Sequence, residues 1–413
     1  MKLSRLTAAL ALCALVPAHA AAQSCTGSDR SITVPEGFCV TVFADEVGSA
    51  RHLAVTSSSV VFVALSGRNG GGLILRDTDG DGFADESSRF AEGPGSDVEI
   101  RGDWIYYSTY GEIFRYRWDA QLQNLVGRET IVSDLPDEGG HFWGKSLAFD
   151  DAGFLYVNIG SATNSCQVAD RQERSPGQDP CLERDTRAGI WRFRADRIGQ
   201  TFQDGTRFAT GLRNTIALAM GPDGRLYGAV HGRDQLLQNW GNLFDAQYSA
   251  ENPAEEFVRI EQGDDFGWPY CYYDPDRRAK VLSPEYGGDG NEVGLCAAKK
   301  DPLIGFPGHW APNSILFYSG DQFPPSYRGG AFVAFHGSWN RAPLPQQGYN
   351  VVFVPFDDGE PTGEWNVFAE GFRTPGQGRR SAHRPVGLAQ MPDGSILLTD
   401  DSGGRIYRIT YAR

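Results

Sequence analysis

Histidine and arginine side chains stand at matching positions just before predicted β-strands. His141 precedes the apolar run SLAF, and Arg213 with Asn214 precedes TIALAM. Imidazole is the usual group for taking a proton near neutral pH, and guanidinium binds anions through paired donors. A loop histidine can also cap a strand, and an isolated arginine can be a structural ion-pair partner. If both side chains reach one site, they predict proton transfer beside a bound anion.

Further cationic groups occupy equivalent positions later in the chain. His309 lies shortly before ILFY, the segment HGSWNR leaves the strand GAFVAF with Asn340 and Arg341, and Arg384 precedes VGLAQ. Several arginines and histidines beside a tryptophan favour an anionic, flat, aromatic ligand. Asn164, which follows FLYVNIG, either binds substrate hydroxyls or holds its own loop.

A repeated β-hairpin is the element that must bring these groups together. Between Arg213 and Asp234, two apolar runs flank Pro222-Asp223-Gly224, which suits a tight reversal. Because the turn lies at one end, the start of the first strand and the exit of the second meet at the other end. Six such hairpins occur, most followed by a third strand. They predict an all-β fold, a six-bladed β-propeller, with five or seven blades as alternatives.

The termini and the long connections complete this prediction. The strand-like segment CVTVFAD is expected to join strands near the C-terminus and close the ring. Three long excursions, at about residues 160–188, 231–258 and 262–312, are predicted by strand count to cover the rim that carries His141 and Arg213. Long loops over one face of a rigid scaffold build pockets, so the rim is the predicted site.

An acidic loop follows the first predicted blade strands. Asp77, Asp79, Asp81 and Asp85 with Gly82 match the first nine positions of a calcium loop, but Ser88 replaces the glutamate expected at the twelfth. The loop is either a calcium site or an acidic solvated turn. Since it follows a third strand, it is expected on the face opposite the rim, where a structural role is favoured.

The N-terminus and the charge bear on location and partners. Lys2 and Arg5 precede an apolar run and the small-x-small pattern Ala18-His19-Ala20, so residues 1–22 are predicted to be a signal peptide and 23–413 a single propeller domain. The mature chain is expected to be periplasmic or secreted. A net charge of −14 disfavours nucleic acid and anionic membranes as partners, and no later stretch is apolar enough to span a bilayer.

The cysteines predict disulfides. Apart from Cys13 in the leader, an even number remains in an exported chain, and pairs in sequence order are the simplest of fifteen connectivities. The predicted pairs are Cys25–Cys39, Cys166–Cys181 and Cys271–Cys296. Since no CxxCH motif for covalent haem occurs, any electron partner is separate, such as a quinone or a soluble cytochrome c.

Several longer motifs occur in a familiar order. They are GGHFWGKSLAF, GLRNTIALAM, HGRDQ, FGWPYC, HWAPNSILFYSG, HGSWNR and RPVGLAQMPDG. The chain resembles the soluble quinoprotein sugar dehydrogenases, and most closely their sorbosone or aldose dehydrogenase branch. The resemblance covers nearly the whole mature chain. It implies a six-bladed propeller that uses pyrroloquinoline quinone (PQQ) and calcium.

The resemblance also implies residue roles. His141 matches the general base that takes the proton from the substrate hydroxyl, and Arg213 matches the arginine that polarises the quinone carbonyl. The backbone carbonyls of Gly232 and Arg233 match the ligands of the catalytic calcium. The implied cofactor-binding residues are Asn214, His309, Arg384 and either Asn340 or Arg341.

The chain departs from the glucose-oxidising branch at two places that concern substrate. Gly140 stands where an acidic residue is expected, and Arg51 with His52 lies near a position where an amide would contact sugar. The predicted function is therefore oxidation of a sugar, aldehyde hydrate or related alcohol. A calcium-dependent lactonase or other hydrolase, which would need carboxylates or asparagines around an axial metal, and a noncatalytic carbohydrate-binding propeller are the alternatives.

Overall fold

Six sheets form the body of the protein, each with four antiparallel strands, and one of them carries a short fifth strand in parallel at its edge. The computed structural model describes residues 28–29, 31–141, 144–373 and 381–412. The predicted signal peptide, residues 1–22, and Cys25 lie outside these described residues. The six sheets confirm the predicted six-bladed propeller, since the first strand of every sheet contributes to one central channel.

The strands follow one another blade by blade. The N-terminal strand is β1 (Phe38–Ala44). Blade one contains β2 (Ala50–Val55), β3 (Val61–Leu65), β4 (Gly71–Arg76) and β5 (Glu86–Glu92). Blade two contains β6 (Gly95–Arg101), β7 (Trp104–Thr109), β8 (Ile113–Asp119) and β9 (Asn124–Ser133). Blade three contains β10 (Leu147–Phe149), β11 (Phe154–Ile159), β12 (Gly189–Arg194) and β14 (Thr206–Thr210), while β13 (Gln200–Thr201) joins the edge of blade two.

The second half repeats the plan with insertions. Blade four contains β15 (Ala217–Met220), β16 (Leu226–Val230), β17 (Glu255–Ile260) and β20 (Ile304–Phe306), with the small hairpin β18 (Cys271–Asp274) and β19 (Ala279–Leu282) between the last two. Blade five contains β21 (Pro312–Phe317), β22 (Ala331–Phe335), β23 (Asn350–Val354) and β26 (Asn366–Ala369), with the hairpin β24 (Phe356–Asp357) and β25 (Glu360–Pro361). Blade six contains β27 (Pro385–Gln390), β28 (Ile396–Asp400) and β29 (Arg405–Tyr411).

Helical structure is confined to short segments. The helices are α1 (Leu236–Trp240) and α2 (Ala246–Glu251), and the 3-10 turns are Leu182–Asp185, Phe202–Asp204, Pro284–Tyr286, Gly294–Ala298 and Pro325–Tyr327. The Asp245 side chain accepts from the Tyr248 backbone N–H at 2.8 Å and so caps the start of α2. Neither described helix has the length and apolar character that crossing a membrane requires.

The two ends of the chain meet in blade six, as the sequence predicts. β1 pairs antiparallel with β29, with Phe38 opposite Tyr411 and Thr41 opposite Arg408. The fourth strand of this blade therefore comes from the N-terminal side of the ring. Pairing first with last removes two exposed strand edges and holds the ring closed.

Packing between blades explains why the central strands are apolar throughout rather than alternating. All five residues of β3 and all five of β22 are buried, because each blade packs on a neighbour through both faces. Fully burying each Val, Leu or Phe side chain contributes roughly 1.5–3 kcal/mol. The rigid ring that results is the frame for the loops at the rim.

The predicted hairpin between Arg213 and Asp234 is confirmed. β15 and β16 pair with Ala217 opposite Ala229, and Gly224 adopts a φ of +73° in the turn. At the other end, the His231 N–H donates to the Asn214 carbonyl at 2.9 Å. The start and the exit of the hairpin therefore do share one rim.

The longest excursion takes a different path from the predicted one. β17 runs to the face opposite the rim, because Ile260 pairs with Leu226 beside the turn of the preceding hairpin. The chain then returns toward the rim beside β14, where Thr210 and Asp265 form a parallel bridge. Strand count alone placed residues 262–312 at the rim, but the segment leaves from the opposite face and reaches the rim along a neighbouring blade.

Two of the predicted disulfides hold these excursions. Cys166 is bonded to Cys181, and Cys271 to Cys296. Cys39 is disulfide-bonded as well, whereas its predicted partner Cys25 lies outside the described residues.

Candidate active site

A cavity of about 250 Å³ opens at the rim on the channel axis. Three of the long loops and the starts of several first strands surround it. Its lining includes His141, Arg213, His231, Gly232, Asp234, Glu255, His309, Asn313, His336, Asn340 and Arg384. Five predicted residues therefore share one cavity: His141, Arg213, His309, Asn340 and Arg384, together with the backbone of Gly232.

His141 is held so that one ring nitrogen remains available. Its Nδ1 lies 3.0 Å from both the carbonyl oxygen and the Oγ of Ser161. The Ser161 hydroxyl donates its own proton to the Thr163 carbonyl at 2.7 Å, so both Ser161 atoms act as acceptors toward His141. This network assigns the proton to Nδ1 and leaves Nε2 as an unprotonated acceptor.

Burial and charge keep His141 neutral. Burial lowers the pKa of His141 well below its usual value, and the nearby Arg213 cation lowers it further. The glycines near the ring leave no room for a side chain. A Cβ atom on Gly160 would lie 2.7 Å from the His141 Cβ, and one on Gly139 would lie 2.6 Å from the Ala162 Cβ. A neutral imidazole with a free Nε2 is the state that accepts a proton.

Every donor group of Arg213 is engaged. Nη1 donates to the Gly232 carbonyl at 2.6 Å, Nε to the Asn164 carbonyl at 3.1 Å, and Nη2 to the Asn164 amide oxygen at 3.0 Å and Asp234 at 2.9 Å. The guanidinium is therefore a fixed positive charge at the wall of the cavity. A charge that is already positioned does not have to reorganise when a ligand binds.

Asp234 is a central residue to which the sequence analysis gave no role. Burial opposes its ionisation, but the Arg213 cation holds the pKa of Asp234 well below its usual value, and His309 Nδ1 lies 3.7 Å from the carboxylate. Its carboxylate also accepts from Arg171 at 3.1 Å and from the Asn340 amide at 2.8 Å. Asp234 thus connects Arg213 to Asn340 across the cavity. The sequence could have indicated it, because Asp234 is an acidic residue at a rim that is otherwise rich in arginine.

Glu255 is a second carboxylate that the sequence did not point to. Its oxygens accept from the backbone N–H groups of Gly232 at 2.9 Å and Ala311 at 3.3 Å. Its side chain faces the cavity although only 2% of the residue is exposed, and burial raises the pKa of Glu255 to about 7. Glu255 begins β17, a strand that the sequence did not clearly show.

The remaining cavity residues are fixed by backbone contacts. Arg384 donates to the carbonyls of His336 at 2.8 Å and Gly337 at 2.5 Å and lies over the Tyr349 ring. His309 Nε2 lies 2.7 Å from the Ser249 carbonyl, and its Nδ1 lies 3.2 Å from the Asn340 amide nitrogen. These contacts orient the side chains without using a bound ligand.

Some predicted cofactor residues lie behind the cavity wall. The Arg341 side chain is completely buried and bonded to Glu251 and to the carbonyl of Gly308, so of the two alternatives Asn340 is the residue that faces the cavity. Asn214 lies beneath His141 and accepts from Asn158 at 3.2 Å. The Arg233 side chain forms a buried ion pair with Glu285 at 2.7 Å and does not line the cavity, which leaves only its backbone for the predicted metal role.

The predicted substrate residues are also bonded to other groups of the protein. Asn164 is buried and joined to Arg213 and to the backbone of Asp234, which supports the loop-holding alternative. Arg51 pairs with Asp401 at 2.9 Å. His52 lies below the mouth, bonded to the Asn313 carbonyl at 2.7 Å and to Asp97 at 2.9 Å. The sequence placed these residues at the rim but could not show that neighbouring blades would cover them.

The acidic loop joins β4 to β5 on the face opposite the rim, as predicted. Asp77, Asp79 and Asp85 have carboxylate oxygens within 4.8 Å of one another, whereas Asp81 is outside this group and accepts from the Phe83 N–H instead. Three of the four predicted carboxylates are therefore close together. The Asp77 carboxylate also accepts from Gly80 and Gly82, an arrangement that a solvated turn shares.

The cavity suits an anionic polar ligand and a cation together. Arg213 and Arg384 supply positive charge, while Asp234 and Glu255 supply negative charge. Three buried amide atoms at its wall have no hydrogen-bond partner: Asn313 Nδ2, Asn313 Oδ1 and Asn340 Oδ1. Buried polar atoms are normally paired, so these atoms indicate a ligand or ordered water.

The fold and the cavity define a class of protein, the six-bladed propellers with a charged axial mouth that contains a neutral histidine. The TrAA12-like family model matches residues 32–412, and the chain belongs to that family. This finding confirms the predicted relationship to the PQQ-dependent sugar dehydrogenases.

Curated relatives match at low identity. The pyrroloquinoline quinone-dependent pyranose dehydrogenase of Coprinopsis cinerea is 24% identical over 434 residues, which cover 94% of this chain and 56% of that protein. An uncharacterized protein of Borreliella burgdorferi is 30% identical over 207 residues, which cover 50% of this chain and 48% of that protein. The chain thus spans about half the length of the curated relatives it matches.

Solved structures share the fold. The holo form of the pyranose dehydrogenase PQQ domain from Coprinopsis cinerea superimposes with a TM-score of 0.75 at 21% identity and covers 94% of this chain and 99% of that one. The calcium structure of the Trichoderma reesei carbohydrate-active enzyme of family AA12 gives a TM-score of 0.74 at 20% identity and covers 95% and 99%.

Proposed function

We propose that this protein is an exported dehydrogenase that oxidises a sugar, aldehyde hydrate or related alcohol with PQQ and calcium. The observation that carries the proposal is the neutral His141, whose free Nε2 faces the same cavity as the fixed cations Arg213 and Arg384. Family membership supports it, as does the relative named a pyranose dehydrogenase. When bound, the quinone supplies the hydride acceptor, and calcium supplies Lewis acidity.

The chain's own residues divide the remaining work. His141 Nε2 takes the proton of the substrate hydroxyl, while Ser161 keeps the ring oriented through Nδ1. Arg213 disfavours a lasting positive charge on the ring, so the proton leaves again after each turnover. Arg384 is proposed to bind an anionic group of the cofactor, with Asn340 and His309 beside it, and Arg213 is proposed to polarise the quinone carbonyl.

Calcium is proposed to bind at the carbonyls of Gly232 and Arg233. The Gly232 carbonyl faces the cavity side and already accepts from Arg213, which leaves one lone pair for a metal. Carbonyl oxygens are ligands that calcium accepts readily. Structural calcium at Asp77, Asp79 and Asp85 is a separate proposal, supported by the proximity of these carboxylates.

Export and electron transfer form the last part of the proposal. The leader-like residues 1–22 and the disulfides of the rim loops support a periplasmic or secreted protein. Strands from residue 38 to residue 411 close one ring, which supports a single domain over 23–413. Electrons are proposed to pass to a separate acceptor, either a quinone or a soluble cytochrome c.

Reconstitution tests this proposal directly. Purified metal-free protein is loaded with PQQ and calcium, and dye reduction is followed over a panel of aldoses, sorbosone and simple alcohols. We expect turnover that needs both additions. If the quinone binds but no member of the panel reduces the dye above the rate without protein, the dehydrogenase assignment is wrong.

A calcium-dependent hydrolase is a second candidate that one observation favours. Glu255, Asn313 and Asn340 line the mouth, and carboxylates and asparagines near the axis are what such an enzyme needs. Arg213 and Arg384 in the same cavity favour the dehydrogenase. Lactone hydrolysis with calcium and without the quinone, measured by acid release, would distinguish the two.

A further inference from the structure

Glu255 is a buried carboxylate of the cavity that forms no ion pair with a cationic side chain among the described residues, although Arg213 and His309 act on it electrostatically. Among the described residues, its oxygens contact only two backbone N–H groups, from Gly232 and Ala311. The other buried carboxylates near the rim are paired: Asp234 with Arg213, Asp401 with Arg51, and Glu285 with Arg233. Burying an unpaired charge is costly, so a cation is the expected partner of Glu255.

Asn313 lies beside the same place and is also unsatisfied. It is 1% exposed, it lines the cavity, and neither its amide nitrogen nor its amide oxygen has a hydrogen-bond partner within the part of the chain that the structure describes. Two contacts tie its segment to the Gly232 loop: His231 Nε2 lies 2.7 Å from the Pro312 carbonyl, and the Ala311 N–H donates to Glu255. Asn313 is therefore a second, independent sign that a ligand binds here.

The chemistry of these donors selects the ligand class. Carboxylate, amide and carbonyl oxygens are hard donors, which suit a divalent cation such as calcium and not a soft metal. We propose that Glu255 is the charged ligand of a divalent cation bound beside Gly232, and that the Asn313 amide oxygen belongs to the same site. This inference rests on the proposed function for the presence of calcium, and it adds side-chain ligands to a site for which the family resemblance implied only backbone carbonyls.

The test measures how much calcium the protein needs to take up the quinone. All proteins are full-length chains carrying Asp77→Asn and Asp79→Asn, so that the acidic loop gives no calcium signal. PQQ uptake by metal-free protein is followed by absorbance at buffered free calcium concentrations. We expect Glu255→Gln to raise the half-saturating calcium concentration about tenfold or more, and Asn313→Leu to raise it by a smaller factor, because ligand charge sets calcium affinity.

A neighbouring residue provides the matched control. Glu256→Gln removes an ion pair with Lys280 of 2.6 Å on the same strand and should leave the calcium dependence unchanged. Without calcium, Glu255→Gln should melt at or above the temperature of the parent protein because it removes an unpaired buried charge. Its loss of calcium response then cannot come from unfolding.

The outcomes separate the two proposals. If Glu255→Gln takes up quinone with the calcium dependence of the parent, the inference is wrong and the proposed function stands. If the parent takes up no quinone at any calcium concentration, the proposed function is wrong. The inference is then decided by the calcium-induced rise in melting temperature, which Glu255→Gln and Asn313→Leu must diminish and Glu256→Gln must retain.

Discussion

The two ends of the central channel are built from the same six first strands, yet the side chains that line them differ in charge. The opposite end opens into the larger cavity, about 420 Å³ against about 250 Å³ at the rim. Its described lining is apolar apart from Glu99 and Gln390, whereas the rim cavity is lined by histidines, arginines and carboxylates. A layer with His52 and Asp97 separates the two. The candidate active site is therefore identified by the charged residues at strand starts and hairpin exits, and not by the size of the cavity.

Loop length explains this difference. At the rim, residues 160–188 and 231–254 form long connections, and disulfides hold Cys166 to Cys181 and Cys271 to Cys296. At the opposite end most connections within hairpins are short turns such as the one at Gly224, and the longer connection 318–330 of blade five is the exception. Long, pinned loops can cover a cavity and hold buried charges in place, and short turns cannot.

The largest expected difference between the two ends comes from removing the proposed general base, His141, from the rim. His141→Ala should lower turnover by about 10²–10⁴-fold with PQQ uptake retained, because general-base catalysis contributes that much. Dye reduction and quinone absorbance measure the two effects. His383→Gln, a histidine paired with Asp400 away from the cavity, is the control and should retain its rate. Full turnover in His141→Ala would contradict the proposed base.

The pH profile of the wild type tests the same residue. Since burial and Arg213 hold the pKa of His141 well below its usual value of about 6.5, the neutral form dominates at neutral and mildly acidic pH. The rate should therefore stay level from pH 8 through about pH 6.5 and fall only at lower pH, when Nε2 becomes protonated. A fall in kcat/KM centred near the ordinary histidine pKa would show that His141 is not buried as the structure has it.

Breaking the charge network should lower the stability of the rim. Asp234→Asn leaves the buried Arg213 without its carboxylate, and loss of one partner of a buried pair costs about 3–5 kcal/mol. Urea unfolding measures the loss of free energy of unfolding. Asp151→Asn, an exposed acid in an opposite-end turn, should change it by less than about 0.5 kcal/mol. Equal effects of the two variants would contradict the difference between the ends.

Substitutions of Arg384 and Arg341 test which arginine faces the cavity and which lies behind its wall. Arg384→Ala should weaken PQQ binding by about tenfold or more, because a bond to a charged group contributes about 1.5–3 kcal/mol. Arg341→Ala should instead lower the melting temperature, since it breaks the pair with Glu251 without facing the cavity. Absorbance titration and thermal unfolding separate these outcomes, and the reverse pattern would restore Arg341 as the cofactor residue.

The smallest effect on function is expected at the opposite end. Burial and the neighbouring Asp97 raise the pKa of Glu99 well above its usual value, so ionisation costs stability as pH rises above about 4.3, the unfolded pKa. Glu99→Gln should match the wild type at pH 4, be more stable at pH 8, and bind PQQ normally. Weaker quinone binding in this variant would show that the two cavities are coupled.

The repeated β-hairpin allowed most of the fold to be predicted from the sequence. Because each hairpin has a turn at one end, His141, Arg213 and Arg384 could be assigned to one rim from strand count alone, and the six blades and the closure of β1 on β29 followed from the same periodicity. The hairpins are local, since residues close in sequence determine them, whereas the pairing of β1 with β29 joins the two ends of the chain and was predicted because a ring must close. The excursion after Ile260 was not predictable in this way, because its route along β14 depends on a neighbouring blade.

The sequence by itself determined the blade count, the rim, and the chemical types gathered there. Only the tertiary structure decided which side chains face the cavity: Asn340 and not Arg341, and Glu255 and Asn313, which no motif suggested. The physical reason is that burial and ion pairing are set across blades. Arg341 finds Glu251 and Asn164 finds Arg213 only when the ring closes, and Glu255 remains without a cation for the same reason.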